Sequence, residues 1–219
     1  MAIKLVISDF DRTFTDESLS VGPELREAIR IIQAKGIGFS IVSGRNYDFL
    51  LEFCRELDGL VDSFVAENGC LGFFRGKKYL LGDSRLRGEL LRRLERLSVP
   101  YGQGEVIVAV DVQQEKGLVE ALNGMGGAFH IIRNVDSLMI LPAGISKSSG
   151  AGWLSGMYGV SRDETAAIGD AQNDVAFKDS CVLLGAVSNA IPEMKAAADY
   201  VCRQGYGRGL QEFIEFIGR

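Results

Sequence analysis

Residues 3–11, IKLVISDFD, decide how the rest of the sequence is interpreted. The largely apolar run IKLVIS is typical of a strand that is buried on both faces of a parallel sheet. Asp9 and Asp11 follow where this strand ends. Ligands of open α/β sheets bind outside the carboxyl ends of the strands, so both acids are candidates for function. A DxD pair alone is weak evidence, because aspartate is also common in surface turns.

Buried strands and amphipathic helices alternate on either side of the middle of the chain. The first 66 residues predict the order β-α-β-α-β, with strands at IKLVIS, IGFSIV and DSFVA. After Pro142 the alternation returns, with a helix at GISKSSGAGWLSGMYG and strands at TAAIGD, CVLLGAV and DYVC. This order implies a parallel sheet with right-handed crossovers. The predicted fold class is therefore α/β, with a doubly wound, Rossmann-like core.

The middle of the chain has a different pattern. LGFF and KYLL flank RGK, which predicts a hairpin. Leucines at 86, 90, 94 and 97 indicate an amphipathic helix, and VIVAVDV, FHIIR and SLMIL read as strands. This is the pattern of a small antiparallel α+β unit. We expect a cap domain at residues 82–141, inserted into a core formed by residues 1–81 and 142–219.

The overall composition excludes several classes of function. With 47% hydrophobic and 24% charged residues the chain is globular, and its net charge of −5 argues against nucleic-acid or anionic-membrane partners. The start reads as a strand, without the cleavage site of a signal peptide. Four scattered cysteines and one histidine give no support for zinc or for disulfides. We expect a cytoplasmic protein that acts on a small molecule, as a monomer or a small homo-oligomer.

A second acidic cluster follows the strand TAAIGD. It contains Asp170, Asn173 and Asp174, and on its own it could be no more than a helix cap and a solvated acid. If neighbouring strands bring it to Asp9 and Asp11, four carboxylates share one pocket. Two charges about 4 Å apart repel by about 4 kcal/mol at an effective dielectric near 20, so such a pocket requires a cation. An all-oxygen set without histidine suits Mg²⁺.

Two further residues are candidates for binding an anion. Ser43, in SGR, ends the second strand and opens a helix, where its hydroxyl and the nearby amides either hold an anion or simply cap the helix. Lys147 lies at the start of a helix and opposes the helix dipole, so it favours a nearby anion. Surface lysines are common, however, and both interpretations remain open for each residue.

Taken together and in order, the motifs DFDRTFTD, SGR, SK and GDAQND resemble those of the haloacid dehalogenase superfamily of aspartate-nucleophile phosphatases. ENG at 67–69, PAGISK, VSNAIPE and AADYV further resemble the subgroup with a type-two cap. The ending GYGRGLQEF and the short cap look like archaeal phosphoglycolate phosphatases. The resemblance spans most of the chain.

The resemblance implies a role for each motif residue. Asp9 would be the nucleophile, and Asp11 would protonate the leaving oxygen and later activate water. The Mg²⁺ ligands would be Asp9, the backbone carbonyl of Asp11, Asp170 and Asp174. The phosphoryl group would be bound by Ser43, Gly44 and Lys147, with support from Asn173.

The implied activity is hydrolysis of phosphomonoesters through an aspartyl-phosphate, with 2-phosphoglycolate as first substrate and small sugar phosphates as the alternative. A phosphotransferase and a non-catalytic binding protein are further alternatives. Arg12 departs from the family pattern, which usually has glycine at this position. It either contacts a substrate anion or points to solvent, and our hypothesis is that it assists the binding of an acidic substrate.

Overall fold

The strand predicted from IKLVIS lies inside the larger of two sheets. The computed structural model describes residues 2–133 and 136–218. The strands within these ranges are β1 (Leu5–Ser8), β2 (Gly38–Val42), β3 (Ser63–Ala66), β4 (Leu71–Phe74), β5 (Lys77–Leu80), β6 (Tyr101–Gln103), β7 (Val108–Asp111), β8 (Phe129–Arg133), β9 (Ser137–Pro142), β10 (Thr165–Gly169), β11 (Leu183–Ala186) and β12 (Tyr200–Val201). The larger sheet has the order β12-β11-β10-β1-β2-β3-β4-β5.

This larger sheet confirms the predicted fold class. From β12 to β3 every pair of neighbouring strands is parallel. Strand β1 is buried along its whole length, as its apolar sequence predicts. The hairpin predicted around RGK also forms, and it extends the same sheet, because β4 pairs antiparallel with both β3 and β5.

The predicted helices form, and further helices lie near the end of the chain. The α-helices in the described ranges are α1 (Pro23–Ala34), α2 (Tyr47–Arg55), α3 (Arg87–Arg96), α4 (Glu115–Leu122), α5 (Lys147–Tyr158), α6 (Pro192–Ala197) and α7 (Tyr206–Ile217). In α1, Pro23 occupies the first turn and the face with Leu25, Ile29 and Ile32 is buried. No helix in the described ranges is long and apolar enough to cross a bilayer.

A second, smaller sheet is built from residues of the middle of the chain. Its order is β6-β7-β9-β8, and all of its pairs are antiparallel. One face packs on α3 and α4, where Leu90 and Leu118 meet Leu138 in a separate hydrophobic cluster. We call β6 to β9 with α3 and α4 the small lobe. Its β6 was not predicted, because YGQ has no alternating apolar pattern. The division into a core and a cap at residues 82–141 stays a prediction.

Three neighbouring strands of the larger sheet end at the same edge. In the register, Ser8 at the end of β1 lies opposite Ile168 of β10 on one side and Ile41 of β2 on the other. The chain passes to β2 on one side of β1 and returns as β10 on the other, so this edge is a topological switch point. Ligands of doubly wound sheets bind at such a point.

Candidate active site

The strand ends at the switch point carry the acids that the sequence singles out. Asp9 follows β1 and Asp170 follows β10, and both are buried. Ser43 follows β2 on the other side of β1 and is completely buried. Adjacent parallel strands therefore bring three separate motifs to one edge of the sheet.

A buried lysine joins two of these motifs. The Nζ atom of Lys147, at the first residue of α5, donates to Asp9 Oδ1 and to Asp174 Oδ1, both at 2.6 Å. Only 5% of the lysine side chain is exposed, so the ammonium is nearly shielded from water. A buried charge requires a partner, and this one has two carboxylates. The alternative of a surface lysine is thus excluded for Lys147.

Asp174 is held in place by the turn that follows β10. Its Oδ2 atom accepts hydrogen bonds from the backbone N–H groups of Asp170 at 3.0 Å and Ala171 at 2.9 Å. Gly169 makes the close approach possible, because a Cβ atom there would lie 2.5 Å from the Asp174 carboxylate. Asp174 thereby orients the backbone of the neighbouring acid as well as the ammonium of Lys147.

The crowding of charge shifts the pKa values of the site. The pKa of Asp9 rises from 3.8 to about 8, first through burial and then through the carboxylate of Asp174, while Lys147 opposes the rise. The pKa of Asp170 rises from 3.8 to about 6, through burial and then Asp174. Burial alone lowers the pKa of Lys147, but the two carboxylates outweigh it and hold the pKa above its usual range.

The donor set of this site fits a hard divalent cation. One carboxylate oxygen from each of Asp9, Asp170 and Asp174 lies within 4.8 Å of the others, and all three residues are buried. The Lys147 ammonium contacts Asp9 and Asp174, and the half-exposed guanidinium of Arg12 contacts Asp170, so three carboxylates face two cations and negative charge is in excess. Oxygen donors with excess negative charge are what Mg²⁺ prefers. The residues present therefore fit this metal.

Asp11 lies apart from this acid cluster. Its side chain is 41% exposed, and both carboxylate oxygens accept hydrogen bonds from Arg45, with Nη2 to Oδ1 at 2.7 Å. The guanidinium also lies over the ring of Phe49. Three carboxylates thus crowd one pocket, whereas the sequence raised the possibility of four. Arg45 was not among the predicted site residues, although it directly follows Ser43 and Gly44 at the end of β2.

The remaining predicted binding residues surround the cluster. Ser43 Oγ accepts a hydrogen bond from the backbone N–H of Arg45 at 3.0 Å. Gly44 lies against Asn68, because a Cβ at position 44 would be 3.3 Å from that side chain. The Nδ2 atom of Asn173 donates to Asn68 Oδ1 at 3.3 Å. Asn68 therefore connects the motif after β2 to the motif after β10, a role that the sequence does not reveal.

Asn68 belongs to the loop Glu67–Gly69, in which all three residues have positive φ angles of 51°, 54° and 116°. The loop also reaches α5, because a Cβ at Gly69 would lie 2.2 Å from the backbone oxygen of Ser146. The side chain of Glu67 is buried and accepts three backbone hydrogen bonds, at 2.7 to 2.9 Å, from residues 105–107. The loop thereby attaches the small lobe to the larger sheet.

A cleft of about 690 Å³ lies between the small lobe and the turn that follows Asp170. Its lining combines residues of both sides: Ile131, Ile132, Arg133, Met139, Ala171, Gln172, Asn173 and Ile191. On the lobe side the lining is mostly apolar, and the guanidinium of Arg133 is paired with Glu115. The cleft gives a small molecule room between the small lobe and the turn that follows β10.

Comparison with known families identifies the class of protein. The model of the haloacid dehalogenase-like hydrolases matches residues 6–111 and 104–214. The chain therefore belongs to this family, and the predicted family is confirmed. Among solved structures, the chain is similar to Thermoplasma acidophilum 0175, with a TM-score of 0.81, 21% identity and 99% of each chain covered. The chain is also similar to a haloacid dehalogenase-like hydrolase from Bacteroides thetaiotaomicron, with a TM-score of 0.81 and 20% identity. This match covers 98% of this chain and 99% of the other. These two support the fold alone.

Relatives that align over nearly the whole chain indicate which kind of hydrolase this family member is. The phosphoglycolate phosphatase of Sulfurisphaera tokodaii is 31% identical, over 97% of this chain and 93% of its own length. The phosphoglycolate phosphatase of Archaeoglobus fulgidus is 28% identical, over 98% of this chain and 97% of its own. The predicted enzyme class, a phosphatase among the hydrolases, is thus confirmed.

Proposed function

We propose that this chain is a Mg²⁺-dependent phosphatase that hydrolyses 2-phosphoglycolate through an aspartyl-phosphate on Asp9. The observation that carries the proposal is the buried ammonium of Lys147 between Asp9 and Asp174. A carboxylate that attacks a phosphate dianion has to overcome charge repulsion, and a fixed cation beside it lowers that barrier. The site supplies this arrangement on rigid strand and helix ends.

In the first step, an oxygen of Asp9 attacks the phosphorus atom and the bond to the ester oxygen breaks. Lys147 attracts one phosphoryl oxygen. The hydroxyl of Ser43 and the backbone N–H of Gly44 donate to another oxygen of the same phosphoryl group. Asp11 gives its proton to the leaving oxygen, so the alcohol leaves neutral. Since Asp11 is paired with Arg45, its carboxyl group has to turn away from the guanidinium before it can donate.

In the second step, Asp11 acts as the base. Its carboxylate takes a proton from water, the water oxygen attacks phosphorus, and the acyl-phosphate bond to Asp9 breaks. Inorganic phosphate leaves and both aspartates return to their starting forms. Covalent catalysis of this kind divides one difficult displacement into two easier ones.

Asp9, Asp170 and the backbone carbonyl of Asp11 would hold Mg²⁺, and Asp174 would complete the site. When bound, Mg²⁺ supplies positive charge that stabilises the phosphoryl oxygens. Both oxygens of Asp174 accept hydrogen bonds within the protein, so this residue contributes chiefly by orienting Asp170 and Lys147. Asn173 supports the phosphate side through Asn68.

The substrate is inferred from the relatives and from the charge at the site entrance. Relatives named phosphoglycolate phosphatases align over nearly the whole chain. Arg12 directly follows Asp11 in the chain, and its half-exposed guanidinium suits a second anionic group on the substrate. Small sugar phosphates are the second candidate, since the lobe side of the cleft is mostly apolar and does not itself require an acid.

The test is phosphate release from a panel of phosphomonoesters, with Mg²⁺ or with EDTA, and with Asp9→Ala as the blank. We expect Mg²⁺-dependent turnover that is highest for 2-phosphoglycolate. Turnover that is highest for sugar phosphates would retain the mechanism and reject the substrate. Transfer to an added alcohol in excess of hydrolysis would favour a phosphotransferase, and no release from any ester would favour a binding protein.

A further inference from the structure

Arg12 has a backbone conformation that arginine seldom adopts. Its φ and ψ angles are 61° and 9°, in the left-handed region that favours glycine. The conformation is fixed from outside, because Asn189 Nδ2 donates to the Arg12 carbonyl at 2.9 Å and Asn189 Oδ1 accepts from Tyr206 N–H at 2.7 Å. Strained residues that are held in place by their surroundings concentrate at functional sites. A glycine would fit here without strain, so the arginine side chain itself needs an explanation.

The guanidinium of Arg12 lies at the rim of the acid cluster and is only partly used. Its Nε atom is 3.3 Å from Asp170 Oδ2, and 52% of its side chain is exposed. Among the described residues this is its only ion-pair partner. A cation bound by Asp170 weakens this contact, since two positive charges then share one carboxylate. The terminal nitrogens form a fork that suits a carboxylate.

The proposed substrate restricts where its second anionic group can lie. In 2-phosphoglycolate a single methylene separates the carboxylate from the ester oxygen that leaves. Asp11 has to reach that oxygen, so the partner of the carboxylate must lie beside Asp11. Arg12 follows Asp11 directly in the chain and contacts Asp170.

Two other arginines near the cleft are already occupied. Arg45 uses both Nε and Nη2 on the carboxylate of Asp11. Arg133 donates from Nη2 to both oxygens of Glu115. Arg45 is released only when Asp11 turns to donate its proton, so before that step Arg12 offers the most freely available guanidinium of the three.

We propose that Arg12 recognises the substrate carboxylate and makes the enzyme selective for phosphate esters of small hydroxy acids. This rests on the proposed function, which supplies the phosphatase chemistry. Under this proposal Arg12, next to Asp11, contributes to substrate selectivity, in addition to any contribution from residues of the small lobe.

The test compares Arg12→Gly with the wild type on 2-phosphoglycolate and on ethyl phosphate, which lacks the carboxylate. Glycine accepts the φ angle of 61°, so this variant should fold at least as well as the wild type. We expect the kcat/KM ratio of 2-phosphoglycolate to ethyl phosphate to fall at least tenfold, mainly through KM. Arg96→Gln removes the same charge from an exposed position of α3 and should leave the ratio within twofold.

Binding provides a readout that does not depend on turnover. In an Asp9→Asn background with Mg²⁺, calorimetry should show that Arg12→Gly weakens 2-phosphoglycolate binding at least tenfold and ethyl phosphate binding much less. Without any ester, Arg12→Gly should bind Mg²⁺ at least as tightly as the wild type, because a cation that competes for Asp170 has been removed.

The outcomes separate this proposal from the proposed function. Equal losses for both esters would show that Arg12 acts on the phosphoryl centre and would overturn the proposal, as would no loss for either. A wild type that prefers another carboxylated ester, such as 2-phospholactate, would reject the proposed substrate. It would still support the role of Arg12 if Arg12→Gly removed that preference. A wild type that turns over ethyl phosphate but prefers no carboxylated ester would overturn both the proposed substrate and the proposed role of Arg12.

Discussion

Two sites in this protein bury carboxylates: the acid cluster around Asp9 and the side chain of Glu67. Their negative charges are balanced in different ways. Asp9 is one of three clustered acids, it shares the Lys147 ammonium with Asp174, and its pKa is raised to about 8. Glu67 is 1% exposed, and three backbone N–H groups of residues 105–107 donate to it. The acid cluster has excess negative charge, whereas Glu67 has a donor for each of three lone pairs. Burial alone therefore does not identify a reactive acid; the balance of charges and donors does.

The sharpest test of this comparison replaces Asp9 by asparagine. Asp9→Asn removes the proposed nucleophile with almost no change in volume, and phosphate release should fall by about a thousandfold or more. Glu67→Gln makes the same chemical change at the other buried site, and it should keep at least a tenth of the activity if the residue is structural. Retained turnover in Asp9→Asn, with contamination excluded, would reject the assignment of the nucleophile.

Lys147→Met tests whether the ammonium is essential to the acid cluster. It leaves Asp9 and Asp174 without their shared cation, so we expect kcat to fall by about a hundredfold or more. Lys178 is exposed, and within the described residues its ammonium donates only to the backbone oxygen of Ala197, so Lys178→Met is the control. If the two variants had similar kcat values, Lys147 would have no role in the chemistry.

Glu67→Gln should act on stability and on the attachment of the small lobe. The carboxamide of glutamine carries a donor that faces backbone donors, so we expect a loss of about 1–3 kcal/mol in the free energy of unfolding. Hydrogen exchange at residues 105–107 should become faster. Glu105→Gln, on an exposed side chain paired with Lys78, should cost less than about 0.5 kcal/mol. Equal effects of both substitutions would contradict the assigned role of Glu67.

A further expected effect is a dependence of stability on pH. The pKa values of Asp9 and Asp170 rise from 3.8 to about 8 and about 6. The folded protein thus binds more protons than the unfolded chain between pH 4 and 8, and without metal this contribution to stability falls as the pH rises through that range.

Melting temperatures measured with Mg²⁺ and with EDTA check this dependence. The stabilisation by Mg²⁺ should be larger at pH 8 than at pH 5, because metal binding needs ionised carboxylates. Asp9→Asn should reduce this difference, and Glu67→Gln should leave it intact. A difference that is the same in all three proteins would mean that Asp9 does not titrate in this range.

The sequence predicts the core because its signals are local. Apolar runs such as IKLVIS give buried parallel strands, and parallel strands bring their ends to one edge. Asp9 and Asp170 could therefore be expected at one edge of the sheet, whereas only the resemblance of its motif to those of the family placed Lys147 beside them. The predicted roles of these residues, and of Ser43, Gly44 and Asn173, stay predictions.

The features that the sequence did not reveal depend on contacts between distant segments. Glu67 meets residues 105–107 only because the small lobe folds back on the core, and Asn68 meets Asn173 only across the site. The pairing of Asp11 with Arg45 joins the ends of two strands through side-chain rotamers, which no periodicity encodes. Strand β6 is short and has little apolar pattern, so propensity alone could not identify it.

The left-handed loop Glu67–Gly69 has a consequence for how this sequence can vary. Each of its positions is restricted twice, by a positive φ angle and by a close tertiary contact. In a library that samples every amino acid at every position, these three codons should be depleted of nearly all substitutions under selection for folded protein. Exposed positions of similar residue type, such as Glu105, should tolerate most of them. This short loop thus sets a local limit on sequence drift, although none of its residues is proposed to touch the reacting atoms.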